Sequence, residues 1–547
     1  MKAKWIAALC LLPFILLFGA FQIAPLVWIA VSSFFSQTSG WGLGNYVDVL
    51  TSPFYLQAFQ FSLEISLWSS VYGLLIALVG SYSLRQLGQT RFHDFVMSFT
   101  NMTSNFAGVP LAFAFVILLG LNGCLTLLLR KYGLMESFNL YSKTGLIVLY
   151  TYFQIPLGVL LLYPAFDALR EDWRESASLL GAGPWRYWRH IGLPVLAPAL
   201  MGTFVILLAN ALGAYATVYA LTTGNFNVIP IRISSLVAGD ISLDPNLASA
   251  LAMLLVAMMA FITLIHQWLL RQELPECALI MLRRAAMSRI ETGYHRVVTS
   301  LLLLILLLPL AATLIYALAT QWGATILPDG FTLKWVTALW SDPRFLLALW
   351  HSLLICFGTL LLAVVVILPM MFVIAYYFPK LDAVMNVLIL LPFAVPPVVS
   401  AVGLMQLFAA DPLPLLGTPW ILIGCYFSIA LPFIYRAISN NMQAINLRDL
   451  MDAAHLLGAS TWQAALLVVL PNLRKGGMIA VLLSFSFLIG EFVFANLLVG
   501  SQYETLQVYL YNMRNGSGHF TSALVISYFA VVLIVTLLAN LLNKNKG

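Results

Sequence analysis

Residues 175–194 read ESASLLGAGPWRYWRHIGLP, and residues 452–471 read DAAHLLGASTWQAALLVVLP. The two stretches align without a gap at a constant shift of 277: Glu175 with Asp452, Gly181 with Gly458, Trp185 with Trp462, Pro194 with Pro471. Since 277 is close to half of 547, the chain reads as two related halves, each carrying one such loop. What surrounds the loops decides what they are for.

Hydrophobic residues make up 61% of the chain and charged residues 9%, against about a quarter charged in a soluble domain. Too few charges are present to build a water-soluble surface, so most of the chain must face lipid or other membrane helices. Apolar runs near the about 20 residues that a span needs cover roughly 6–31, 61–83, 95–119, 145–166, 195–221 and 247–270. In the second half they cover roughly 297–320, 349–378, 383–408, 419–438, 476–500 and 521–542. The first, behind Lys2 and Lys4, is about twice a signal core of about 7–15 residues and reads as a retained span. The third is weakest, because it opens on the polar stretch SFTNMTSN at 98–105. The expected fold is all-α: a polytopic membrane protein of about twelve transmembrane helices in two homologous six-helix halves. Residues 1–270 form the first half, 271–296 a cytoplasmic linker and 297–547 the second half.

With the N-terminus inside, 20 of the 27 Lys and Arg fall in inner segments, which the bias of basic residues toward the cytoplasm favours. Both termini and both repeated loops are therefore expected in the cytoplasm. The basic residues are scattered through short loops, so the net charge of +6 reflects topology and implies no nucleic-acid partner. The linker carries five arginines and reads as an amphipathic helix on the membrane surface.

Each repeated loop reads as helix, sharp turn, short helix. Gly181 and Gly458 suit the left-handed residue that ends a helix; Pro184 suits a first helical position, and Ser460 or Thr461 a cap. Leu193-Pro194 and Leu470-Pro471 are expected to bend the chain back into the membrane. The small residues Ala177, Ala453 and Ala454 leave room for another surface, and Glu175 and Asp452 precede the glycine by six residues. A surface-lying connector would explain one such hairpin. Two, in register over 20 positions at matching places, point to a shaped docking knob.

Within the spans, Glu491 lies near the middle of the eleventh, and an intramembrane acid usually faces a cavity or a partner. Paired halves of this kind are common in transporters, with the pathway at their interface. There Glu491 is expected to face the cavity and attract a cationic substrate or organise a gate, or else to be a protonated or hydrogen-bonded packing residue. Asn210 in the fifth span is a second pathway candidate, or a bond to a neighbouring helix. Glu64 is expected to reach the headgroups. The five cysteines lack CxxC spacing and the seven histidines form no HExxH, so no metal site is expected. No G-x-x-x-x-G-K-[ST] and no G-x-S-x-G occur. An ATP site, a catalytic site and a cofactor are therefore not expected, and the energy for transport must come from another subunit or an ion gradient.

The pattern E/D-A-A, three residues, G, nine residues, I/V-x-L-P resembles the signature loop of permease subunits of binding-protein-dependent ABC importers of the type I fold. The matching positions are Glu175, Ala177, Gly181, Ile191 and Pro194, then Asp452, Ala453, Ala454, Gly458 and Pro471. Ser176 in place of alanine and Asp452 in place of glutamate are mild departures. Phe331-Thr332-Leu333 resembles the family's outer loop before the second span. The double length is similar to fused permeases of ferric iron and thiamine importers. The local sequence at 492–498 and 500–506 is closer to polyamine and aminoethylphosphonate permeases. The resemblance implies that loops 167–194 and 444–471 dock on two copies of a cytoplasmic ATP-binding subunit. It further implies an external solute-binding protein and a bacterial inner-membrane location. The competing reading is an ion-gradient-driven secondary transporter, which also commonly has two repeated halves but needs no matched pair of knobs.

Overall fold

The computed structural model describes residues 9–36, 40–88, 90–134, 138–169, 171–239, 243–271, 289–323, 325–409 and 413–544. The expected linker falls largely on 272–288, outside the described residues, as do 1–8 and 545–547 at the chain ends. Among the described residues ten helices are long and apolar enough to cross a membrane, and two bent helix pairs raise the number to twelve. Helices prevail because a backbone in hydrocarbon must satisfy its hydrogen bonds within the segment.

The spans differ from simple apolar runs where the chain breaks them. The run at 95–119 is two helices, Arg91–Thr103 and Val109–Leu119, parted where Gly108 takes φ +72°. The corresponding run in the second half is Leu381–Ala394 followed by Pro397–Phe408, bent by 94° at Pro396-Pro397, where the prolines lack the N–H groups a continuing helix needs. The fifth and eleventh runs also break, at 213–215 and 489–492.

The expected bends at Pro194 and Pro471 are absent. The helix runs through the first as Pro184–Leu212, while the second path bends by 58° further on, between Arg474 and Gly476. At both prolines one turn widens to a π-helix, Trp188–Gly192 and Ala465–Val469, and Leu193 and Leu470 bond back five residues instead of four. Gly19–Ile23 before Pro25 repeats the device. The widened turn absorbs the missing proline N–H without a kink.

The chain forms two compact units that cut across the sequence halves. One holds Met1–Pro53, Pro230–Val256 and Lys334–Gly547; the other holds Phe54–Ile229 and Ala257–Leu333. In the first, helix Leu12–Ser32 packs on second-half helices: Phe21 stacks on Phe408 at 5.3 Å, and Gly424 leaves room for the Phe21 ring. In the other, helix Gly293–Leu318 packs on first-half helices, with Tyr152 Oη donating to the Leu306 carbonyl at 2.6 Å. Gly80 there faces the Leu302 side chain, which a Cβ would meet at 2.9 Å. Helix Pro53–Gln86 buries a stripe of small residues, among them Ala58, Ser62, Ser66, Ser69, Ser70, Gly73 and Ala77. Such stripes let membrane helices approach closely. Ser70 accepts a hydrogen bond from Gln154 Nε2 at 2.9 Å in that contact.

The same kind of bond occurs within each unit. Ser62 Oγ accepts the Ile229 N–H at 2.9 Å, and Ser352 Oγ accepts the Leu506 N–H at 2.7 Å. These are the first residues of helices Ile229–Ala238 and Leu506–Asn512. Glu64 pairs with Lys143.

Candidate functional site

The repeated loops share one backbone. Helices Glu171–Leu179 and Leu447–Leu456 end in the same closure. The Ala182 N–H bonds the Ala177 carbonyl at 2.9 Å and the Gly181 N–H the Ser178 carbonyl at 3.0 Å. In the second copy Ala459 bonds Ala454 at 3.0 Å and Gly458 bonds His455 at 2.9 Å. This paired pattern, with a left-handed residue after the helix, satisfies two orphan carbonyls and suits glycine; φ is +76° at Gly181 and +87° at Gly458. Pro184–Tyr187 and Thr461–Ala464 follow, then the π-turns and the spans at Leu193 and Leu470, all at the shift of 277. Glu175, Ser176, Asp452 and Ala453 are exposed, whereas Ala177 and Ala454 are buried under the turn that their carbonyls close. Ile191 is half-buried, and Pro194 and Pro471 are exposed.

Two features set the copies apart. Ser460 Oγ accepts from the Gln463 N–H while Gln463 Oε1 accepts from the Ser460 N–H, a full capping box; Gly183 offers no side chain to cap Pro184–Tyr187. The first loop folds around a cleft of about 390 Å³ lined by Trp173, Leu180, Arg186, Tyr187 and His190. The second lies beside a cavity of about 340 Å³ that Trp462, Leu466 and Val469 share with Phe372, Tyr377 and Cys10.

The breaks at 213–215 and 489–492 also correspond at 277. Glu491 sits in the second break, not within a helix. Its carboxylate accepts the Phe494 N–H at 3.1 Å, the Ala495 N–H at 3.3 Å and the Tyr426 hydroxyl at 3.0 Å. At the matching place Ala214 has only its carbonyl to offer, and it accepts the Tyr150 hydroxyl at 3.1 Å. Tyr150 is thus the counterpart of Tyr426. The helix starts at Ser142 and Thr418 and the internal Pro156 and Pro432 give the same shift of 276. Asn210 is exposed on helix Leu193–Leu212. Among the described residues no group of three or more His, Cys, Asp or Glu could hold a metal ion.

The model of the family described as binding-protein-dependent transport system inner membrane component matches residues 69–272 and 368–546. The chain belongs to that family. It is a multi-pass inner-membrane permease of a binding-protein-dependent ABC importer. A Salmonella typhimurium protein named for a 2-aminoethylphosphonate transport system permease is 31% identical over 258 residues, covering 46% of this chain and 94% of its own. The thiamine transport system permease protein of Escherichia coli is 24% identical over 498 residues, 88% of this chain and 89% of its own. Among solved structures, a bacterial alginate ABC transporter in complex with alginate pentasaccharide-bound periplasmic protein matches 50% of this permease and 96% of its own chain. The TM-score is 0.42 and the identity 20%.

Sequence reading passed over the most conspicuous part of the permease loops. Leu179 and Leu180 are 88% and 87% exposed, and Leu456 and Leu457 are both 88% exposed. They sit at the end of a helix among Asp172, Arg174 and Glu175 in one copy and Asp449, Asp452 and His455 in the other. The signal was available: the Leu-Leu-Gly triplet recurs at the shift of 277, and a leucine next to the left-handed glycine lies at the tip of the turn. Gln507 was also missed. It is fully buried with neither amide atom hydrogen-bonded among the described residues.

Proposed function

We propose that this permease moves a small solute, delivered by an external binding protein, into the cytoplasm by ATP-driven alternating access. Loops 167–194 and 444–471 each dock on one of two copies of a cytoplasmic ATP-binding subunit. Glu175 and Asp452 make charged contacts, Gly181 and Gly458 fix the turn, and the leucine pairs enter an apolar depression on the ATPase. Closure of the ATPase dimer draws the loops together and shifts a two-state membrane body between its access states. Both termini lie in the cytoplasm, and the homologous halves are 1–270 and 297–547, joined by 271–296. Glu491, Asn210 and the buried Gln507 mark the solute pathway. Thiamine and 2-aminoethylphosphonate, named for the two relatives, are the first solutes to test.

The observation that carries this reading is the same glycine-closed knob presented twice, each with two bare leucines at its tip. Burying one leucine side chain stabilises by about 1.5–3 kcal/mol, so leucines exposed among charged neighbours twice over mark a surface that a partner covers. The test is co-purification of the tagged permease with its ATPase, comparing wild type with Leu179→Asp/Leu180→Asp and Leu456→Asp/Leu457→Asp. These exposed positions tolerate aspartate in the fold, so ATPase association and ATP-dependent uptake of thiamine or 2-aminoethylphosphonate are expected to fall together. Survival of both in both double variants overturns the docking assignment.

A further inference from the structure

The two helix breaks offer the same tyrosine two different partners, and that difference separates a fixed joint from a releasable one. We propose that Tyr426 and Glu491 are positioning residues of transport, holding the second-half break through a side-chain latch that the first half lacks. The inference rests on the permease reading and deepens it by assigning Glu491 a role other than solute ligand.

In the first half, the Tyr150 hydroxyl binds the Ala214 carbonyl at 3.1 Å. That tie runs to the main chain, so from the side of the break only a backbone movement can release it. In the second half, the Tyr426 hydroxyl binds Glu491 Oε2 at 3.0 Å, and the same carboxylate receives the N–H groups of Phe494 and Ala495. One rotation of the Glu491 side chain therefore frees the tyrosine and uncaps the turn that follows, with no prior change in backbone. The joint has little room on its other side: a Cβ on Gly490 would meet the Tyr528 hydroxyl at 2.6 Å.

An ionised carboxylate has about four lone-pair sites. Here three donors of the chain itself occupy them, which leaves little capacity for a cationic solute. Three hydrogen bonds converge on this one side chain, so the latch is firm while closed. A firm but side-chain-borne tie is what a two-state joint needs: discrete alternatives in place of gradual bending. Ala214 provides the internal control, since the first half forms the same break with no acid.

The test is amide hydrogen exchange of the full-length permease in phosphatidylethanolamine–phosphatidylglycerol nanodiscs, alone and with its co-purifying ATPase trapped by ATP and vanadate. Tyr426→Phe, which removes one oxygen, is expected to speed exchange over 489–499 by roughly tenfold and to leave 213–222 unchanged. Glu491→Ala should do the same. Glu491→Gln keeps an acceptor for the backbone N–H groups and is expected to stay within about threefold of wild type, rescuing most of the loss. Vanadate trapping should change exchange over 489–499 in wild type and in Glu491→Gln, but not in Tyr426→Phe. The inference is overturned if Tyr426→Phe matches wild type, if Glu491→Gln exchanges as fast as Glu491→Ala, or if trapping leaves 489–499 unaltered in wild type. If no ATPase binds the wild-type permease, the coupling assignment fails separately, and the untrapped exchange still decides whether the latch exists.

Discussion

In the first repeated loop the helix after the turn starts at Gly183-Pro184 with no side-chain cap, whereas in the second Ser460 and Gln463 close a full box. The second loop also clamps its turn from the side, His455 Nδ1 lying 2.9 Å from the Ala459 carbonyl. Ser178, the matching residue, bonds back to Glu175 at 2.7 Å within its own helix. Yet the closure, the left-handed glycine, the π-turn and the exposed leucine pair are the same in both. What stays constant is the shape of the tip and its exposed leucines; what varies is how firmly each copy is braced. The difference separates the exposed tip, which the docking proposal concerns, from the bracing behind it.

The comparison breaks most easily at the tips. Replacing either leucine pair by aspartate should weaken ATPase binding by on the order of 100-fold or more, since two buried leucines contribute about 1.5–3 kcal/mol each. Equal losses in pull-down titrations of the two double variants sustain the equivalence of the tips; a loss confined to one loop ends it. Gly181→Val and Gly458→Val come next. No atom lies within 4 Å of a Cβ at either position, so the cost is backbone strain alone, about 1–2 kcal/mol for a left-handed residue. Roughly tenfold weaker association is expected for each, with the melting temperature of the spans unchanged. The smallest effect concerns bracing. Ser460→Ala removes a cap worth about 1 kcal/mol and should speed amide exchange over 461–464 by roughly fivefold, while Gly183→Ala leaves 184–187 nearly unaltered. Equal responses in the two loops would show that the cap carries no stability.

Much of this was legible in the sequence because each signal is local. Span lengths follow from hydropathy. Gly181 and Gly458 announce a left-handed turn, and Pro184 and Ser460 announce helix starts at the residues where they occur. The errors came where a local cue has a nonlocal or compensated outcome. Pro194 and Pro471 lack a hydrogen-bond donor, but one widened turn absorbs the deficit and no bend results. Identity alone would pair Tyr152-Phe153 with Tyr426-Phe427, yet helix starts and internal prolines set the register that makes Tyr150 the counterpart. That helix Leu12–Ser32 packs with second-half helices is invisible to hydropathy, since an apolar face does not name its partner. The leucine pairs do not stand out in the sequence because it does not show which side of a helix end is covered. Glu491 was placed within a span, whereas the chain unwinds there and spends its carboxylate on its own backbone.

The central claim is that both tips are covered by an ATPase. Its most direct test is maleimide labelling of Leu180→Cys and Leu457→Cys in the full-length permease, read by site-resolved mass spectrometry with and without the ATPase. The account predicts rapid labelling of both when the permease is alone and protection of both, by roughly tenfold or more, in the complex. Equal labelling rates with and without the ATPase at both positions would contradict it.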